Sequence, residues 1–247
     1  MPATPRSVLE NFIESLAVAT SMDEAWEIFN RAVNRYGVEH ACYGFMATLP
    51  RKAVTAEVLT WSSYDEQFTE AYMANGHPDH DWSVNWSMNH TRAQRWNTPE
   101  VLDGLNEHEV KTEELAYDFG LYQGIVIPIR GATPLSWGGI GLAAPALAAA
   151  EWGALLDSHQ AVLEILSQGF HEYVLSQGYF DHFNFSGREN EVLKWIACGL
   201  NKHEIADKLN ISSRTAEVHI YRIRRKLGCV NDAQVTAKAL VFNLVSA

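Results

Sequence analysis

The chain has 247 residues, 47% of them hydrophobic, and a formal net charge of −11. That is enough apolar material for one large or two ordinary packed domains, and no apolar run approaches the ~20 residues of a membrane-spanning helix. Cys42, Cys198 and Cys229 lie far apart and the first residues lack the charged-then-apolar order of a secretion signal. Both features argue against a disulfide framework and for a reducing, cytoplasmic setting.

Taken in order, residues 8–19 carry Val8, Leu9, Phe12, Ile13 and Leu16 at helical spacing and predict a helix. Ser21, with Glu24 three positions on, predicts the start of a second helix with Trp26, Phe29 and Val33 on one face and a stop at Gly37. Residues 41–49 and 54–61 are rich in aromatic and β-branched side chains and read as two strands joined by a turn at Pro50-Arg51-Lys52. A helix over 65–75, stopped by Gly76 and Pro78, comes next. A short aromatic helix or loop over 81–89 and a helix over 107–119 ending at Gly120 follow. Residues 123–130 and 137–143 read as strands around a turn at 131–134, and 149–175 as one long helix. This order predicts an α+β domain over residues 1–175, an antiparallel sheet between helices, with a linker over 176–184.

Within that domain Tyr64, Phe68 and Tyr72 recur at steps of four, so a helix would set their rings on one face. Asp81 and Trp82 follow, and four of the eight tryptophans fall between Trp61 and Trp96. An aromatic box with one carboxylate suits a small amphipathic ligand: rings form apolar walls, tyrosine hydroxyls hydrogen-bond, and Asp81 accepts from an N–H. The same stripe is also what a plain core presents. His77, Asp79, His80, Asp81 and His90 match no zinc spacing. Gly138-Gly139 lacks a following Gly-Lys-Ser/Thr, and no nucleophile–base signature surrounds Cys42. No metal, cofactor or catalytic centre is expected.

Charge is unevenly shared. Residues 186–247 carry a net +4 and residues 1–185 a net −15, so the C-terminal end suits a polyanion from which the acidic body is repelled. Three cap signals come in quick succession there: Ser186 with Glu189, Asn201 with Glu204, and Ser212 with Thr215. Gly199 and Gly228 supply the stops. Two short helices and a longer basic one predict an all-α helix-turn-helix domain over 185–247. On the third helix Ala216, Ile220, Ile223 and Leu227 make the buried stripe, and Arg214, Glu217, Tyr221 and Arg225 lie on another side. Arg214 can donate to guanine, Glu217 can accept from cytosine N4, and Tyr221 can hydrogen-bond or touch a thymine methyl. Lys202, Arg222, Arg224, Arg225 and Lys226 suit phosphates, which position without specifying. Ser213 and Thr215 complete the DNA-contacting set.

These residues resemble a known family. The run Glu189 to Trp195, then Glu204-Ile205-Ala206, Leu209, Ile211-Ser212, Thr215, His219 and Lys226-Leu227, is similar to the DNA-binding domain of LuxR-type transcription regulators. Ala216 stands where Val is usual. Upstream, the chain resembles the autoinducer-binding domain of the quorum-sensing branch. That pattern is Tyr, Trp and Tyr at four-residue steps, then Asp-Pro, then a later Trp. Here the positions hold Tyr64, Phe68, Tyr72, Asp81-Trp82 and Trp96, and Gly124 matches a family glycine.

The resemblance implies an N-acyl-homoserine lactone or analogue as effector, with its amide N–H on Asp81 and its acyl carbonyl on Tyr64. Tyr72, Trp96 and Leu121 would pack against it. As partners it implies double-stranded promoter DNA, RNA polymerase and a second copy of the chain, the last through residues 149–175 and 231–244. Three departures bear on the head group. Phe68 stands where relatives have a Trp that donates to the lactone carbonyl. Trp82 replaces Pro. Gly141 and Val126 stand where Ser or Thr is common. A lost buried hydrogen bond costs about 1 kcal/mol unless Trp61, Trp82, Ser83 or Trp86 supplies another, and Gly141 leaves room for a bulkier acyl group.

Overall fold

The computed structural model describes residues 5–47, 58–131, 133, 136–178, 183–242 and 244–245. They form two compact units, the first ending at Tyr173. The first is built on a five-stranded sheet in the order β2-β1-β5-β4-β3, from β1 (His40–Ala47), β2 (Val58–Ser62), β3 (Gln94–Arg95), β4 (Gly124–Arg130) and β5 (Ser136–Ala143). Pairs β1–β2, β3–β4 and β4–β5 are antiparallel, with Val126 opposite Gly141 and Gly124 opposite Ala143. The expected turn at 50–52 lies outside the described residues, as do residues 179–182 of the expected linker.

Helices α1 (Pro5–Val18), α2 (Met22–Asn34) and α7 (Ala149–Tyr173) pack together on one side of the sheet. Ser21 caps α2 by accepting from Glu24 N. That fixes the helix so that Phe29 stacks on Phe170 of α7 at 5.0 Å, while Tyr43 of β1 meets the same ring edge-on at 5.4 Å. Helices α3 (Glu66–Ala74), α4 (Trp82–Asn89), α5 (Pro99–Leu102) and α6 (Glu107–Asp118) follow, with α4 against β4. A pleated strand alternates its side chains between faces. Gly124, Val126, Gly139 and Gly141 therefore share the face that meets Trp96, Ser87 and Tyr64. The α+β expectation of an antiparallel sheet between helices holds.

The differences are local. Tyr64 precedes α3 rather than riding on it, and Pro78 lies within a short 3-10 turn, His77–His80. Neither β3 nor α5 is anticipated from the sequence, and the long helix gives way at Val174 to a π-helical turn.

One polar chain crosses the core of this unit. His171 is fully buried; its Nε2 lies 2.9 Å from the Arg130 carbonyl and its Nδ1 3.0 Å from Tyr43 Oη. A carbonyl only accepts, so Nε2 carries the proton and Nδ1 accepts from the tyrosine. Burial pushes the imidazole pKa down to about 4, against the upward pull of that carbonyl. An unfolded histidine protonates near pH ~6.5. The folded state thus binds fewer protons, and its stability falls as the pH drops from about 6.5 to about 4, by at most ~1.4 kcal/mol per pH unit. Thermal denaturation across that range should show the slope in the wild type and a flatter curve in His171→Gln, which cannot titrate.

The second unit contains α8 (Gly187–Ala197), α9 (Lys202–Leu209), α10 (Ser213–Lys226) and α11 (Asp232–Val241). Ser186 with Glu189 and Asn201 with Glu204 form full capping boxes, and Ser212 accepts from Thr215 N. Gly199 and Gly228 hold φ of +84° and +60°, the left-handed stops the sequence predicts. Val192, Leu193, Ile196, Ile205, Ala216, Ile220, Ile223, Leu227, Val235 and Ala239 make the core. Among the described residues no helix is long and apolar enough to cross a membrane.

Candidate ligand site and nucleic-acid interface

The aromatic residues singled out from the sequence do come together. Phe68 is 7% exposed and packs with buried Leu121 and Ala143, ringed by Tyr64, Tyr72, Trp96, Leu115, Ala116 and Phe119. Ring centroids from Phe68 to Tyr64, Tyr72 and Phe119 are 5.7, 5.6 and 5.7 Å. The site is closed by its own rings, so the plain-core reading and the ligand-box reading describe the same cluster.

Asp81 sits at its polar edge. It is the N-cap of α4: Oδ1 accepts from Ser83 N at 2.7 Å and Val84 N at 3.4 Å. Its other oxygen accepts from Tyr72 Oη at 2.8 Å. A carboxylate offers about four lone-pair positions, so one acceptor position remains. Burial, with the Asp81 charge adding to it, drives the Tyr72 hydroxyl far above the ordinary phenol pKa; burial does the same for Tyr64, with smaller contributions from Cys42 and Asp81. Both phenols are therefore neutral donors. Cys42 is pushed up to about 11, chiefly by burial, and stays a neutral thiol.

Beneath the rings, glycines make room. A Cβ at Gly141 would lie 2.8 Å from Tyr64 Oη and 3.3 Å from Trp96 Cζ2, and one at Gly124 would lie 2.6 Å from Trp96 Cε3 and Cζ3. The indole and the phenol occupy space that side chains at 124 and 141 would take. Val126 is buried on the same face.

The indoles proposed to replace the Phe68 donor are placed otherwise. Trp82 Nε1 donates to Glu113 Oε1 at 2.6 Å, and Trp86 Nε1 donates to the Arg92 carbonyl at 2.9 Å. Trp61 pairs with Tyr43 on the opposite face, near Phe170. Ser83 contributes its backbone N–H to Asp81. Glu113 and Phe119 are site residues that sequence reasoning missed. Phe119 shows an i, i+4 step from Leu115, a usable signal; Glu113 has none. Its carboxyl pKa is raised by burial, opposed by the Trp82 bond and reinforced by Asp81. No group of three His, Cys, Asp or Glu that could hold a metal is found among the described residues.

In the second unit the residues expected to meet DNA follow the helical pattern. Arg214, Thr215, Glu217, Tyr221, Arg222 and Arg225 are exposed on α10, and Tyr221 is 60% exposed. Ser213, half-buried, bonds His203 Nδ1 at 3.0 Å. Lys202, expected to meet phosphate, is 3.2 Å from Glu217 Oε1 in an exposed ion pair. The structure also commits two other expected phosphate partners to internal ties: Arg224 to Asp232 at 2.9 Å and Lys226 to Glu189 at 2.7 Å. Burial works against the Glu189 carboxylate, but bonds from Lys226 and Ser186 outweigh it and hold its pKa below the usual range.

A packed aromatic cluster with a carboxylate at its edge on an α+β sheet, carried with a basic helix-turn-helix, is the make-up of a ligand-sensing DNA-binding regulator. The autoinducer binding domain family matches residues 21–174, and the bacterial regulatory proteins of the luxR family match residues 184–239. The chain belongs to the LuxR family of autoinducer-binding transcription regulators. It is 24% identical over 243 residues to the transcriptional activator protein BjaR1 of Bradyrhizobium diazoefficiens, across 96% of this chain and 95% of that one. A solved structure of Escherichia coli SdiA is 20% identical with a TM-score of 0.65, covering 98% of each chain; SdiA is also known in complex with octanoyl-rac-glycerol. CepR2 of Burkholderia cenocepacia, described as N-acylhomoserine lactone dependent, is 18% identical with a TM-score of 0.60 over 71% of this chain and 97% of that one.

Proposed function

We propose that the chain senses an N-acyl-homoserine lactone or a close analogue and, as a homodimer, binds a pseudo-palindromic promoter site in the cytoplasm. Residues 1–175 serve as the ligand-binding and dimerisation module, 176–184 as the linker and 185–247 as the DNA-binding module. The observation that carries the ligand half is Asp81, which keeps one acceptor position and is tied by the Tyr72 hydroxyl to the cluster of neutral phenols and apolar rings. A secondary amide fits it: N–H to Asp81, carbonyl to the Tyr64 hydroxyl, apolar chain among Phe68, Leu121, Val126 and Trp96. An open cleft of about 950 Å³, lined in part by Trp96 and Glu113, adjoins this site.

Because the rings close on one another, ligand entry displaces packing, and binding is coupled to the folding of the unit. Ligand should then raise the melting temperature by mass action. A thermal-shift panel of lactones with varied acyl groups tests this; no shift with any member removes the lactone reading and leaves the DNA-binding half intact. On the DNA side, Arg214, Glu217 and Tyr221 would read bases while Arg222 and Arg225 hold phosphates. Dimeric binding predicts paired half-sites about one helical turn apart, or a multiple of it.

A second reading, a regulator of the same build that needs no lactone, is favoured by Phe68, which offers no hydrogen-bond donor, and by the closed packing around it. Protein made without any lactone that folds and binds promoter DNA specifically would support it.

A further inference from the structure

Trp96 holds a hydrogen-bond donor that none of the described residues uses. Its Nε1 is buried and has no partner among the described residues. A buried N–H without an acceptor is costly, and native structures leave few of them. The neighbouring indoles are in the opposite situation: Trp82, Trp86 and Trp152 all donate, to Glu113, to the Arg92 carbonyl and to the Gly124 carbonyl.

The ring is also held in a definite orientation. Trp96 N donates to the Gly124 carbonyl at 3.0 Å. Cε3 and Cζ3 lie over Gly124 and Cζ2 lies over Gly141. Cζ2 is the ring carbon next to the one bonded to Nε1, so the donor edge of the indole is the edge nearer Gly141. The same point above Gly141 is where the Tyr64 hydroxyl arrives, 2.8 Å from the absent Cβ. An indole N–H edge and a neutral phenol thus converge above Gly141 from two elements, in space that is theirs only because residue 141 has no side chain.

We propose that Trp96 Nε1–H and Tyr64 Oη–H form a two-donor seat over Gly141 for the amide carbonyl oxygen of the ligand, so that Trp96 is a specificity-determining hydrogen-bond donor and not only an apolar wall. This rests on the acyl-amide reading above. Recognition concentrates on the amide: carbonyl to the Trp96–Tyr64 pair, N–H to Asp81. The head-group ring carbonyl, facing Phe68, goes without that donor. The chain should therefore tolerate head groups that lack a ring carbonyl.

The test is a two-by-two comparison of dissociation constants by titration calorimetry. It sets wild type and Trp96→Phe against an N-acyl-homoserine lactone and its thioamide counterpart, whose sulfur is a weaker acceptor. Effects on the N–H side and on ring packing cancel between the two ligands. Trp96→Phe is expected to weaken the amide by about two- to tenfold, the worth of one neutral hydrogen bond, and the thioamide by a clearly smaller factor. Equal factors for both ligands overturn the donor assignment, leaving Trp96 as packing alone. Should Trp96→Phe fail to fold, the indole N–H signals of 15N-labelled wild type carry the question. One should move downfield with the amide and move less with the thioamide; no such signal overturns the proposal. Wild type that binds neither ligand sinks the acyl-amide reading itself, a result distinct from binding with equal factors.

Discussion

Asp81→Asn is expected to lower affinity for an N-acyl-homoserine lactone about ten- to a hundredfold while shifting the stability of the ligand-free protein by less than ~1 kcal/mol. The two halves of that statement rest on different oxygens. Oδ1 caps α4 through Ser83 N and Val84 N, and asparagine caps as well as aspartate. Oδ2 accepts from Tyr72 Oη; an amide NH₂ in its place can donate to the phenol, whose proton then turns away. The fold keeps its bonds. The ligand does not, because its N–H would meet another N–H instead of a carboxylate, and a hydrogen bond to a charged group is worth about 1.5–3 kcal/mol. Asp81→Ala is the contrasting variant: it also removes the cap, at about 1 kcal/mol, and strands the Tyr72 hydroxyl. Calorimetric titration alongside thermal melts separates the two. If Asp81→Asn binds the lactone as tightly as wild type, Asp81 belongs to the architecture and not to recognition.

What could be read from the sequence was whatever is encoded locally. Ser21, Ser186, Asn201 and Ser212 each cap a helix through an amide three residues away, a pairing the sequence prints directly. The Tyr64, Phe68 and Tyr72 cluster is legible for the same reason, although Tyr64 reaches it from outside α3. Facing and partnership across the chain are not local. Trp61 looks like part of the aromatic box by position, yet strand register turns it toward Tyr43 and Phe170. Trp82 and Glu113 meet across 31 residues with no pattern that announces it. On α10 the count of basic side chains is plain, but Arg224 and Lys226 find Asp232 and Glu189 on other segments, which leaves Arg214, Arg222 and Arg225 as the exposed arginines. Even β3, two residues long, is too short for an alternation to show.

The strongest demand of the fold falls on a glycine that composition alone would pass over. A Cβ at Gly138 would overlap the Gly44 carbonyl oxygen and lie 2.8 Å from Phe45 Cα, with Gly44 C at 3.0 Å. All three atoms are backbone of β1, so no rotamer change relieves the clash. β5 is the central strand, between β1 and β4, and the only relief is to push β1 away from it. That would divide the sheet and loosen Tyr43 and Phe45, both buried against α7. Gly138→Ala is therefore expected to destabilise the first unit by about 3 kcal/mol or more, the upper end for overpacking. The neighbouring glycines grade the effect. At Gly139 an added Cβ meets Ser87, a side chain that can turn, and at Gly44 it meets nothing within 4 Å. Gly139→Ala should cost about 1 kcal/mol and Gly44→Ala no more than ~0.5 kcal/mol, because an added Cβ there displaces no neighbour. Urea unfolding of the three variants, followed by near-ultraviolet circular dichroism of the tryptophan-rich first unit, gives the order. A Gly138→Ala protein that unfolds alongside Gly44→Ala would mean that β1 and β5 have slack here, and that glycine at 138 is not required by their approach.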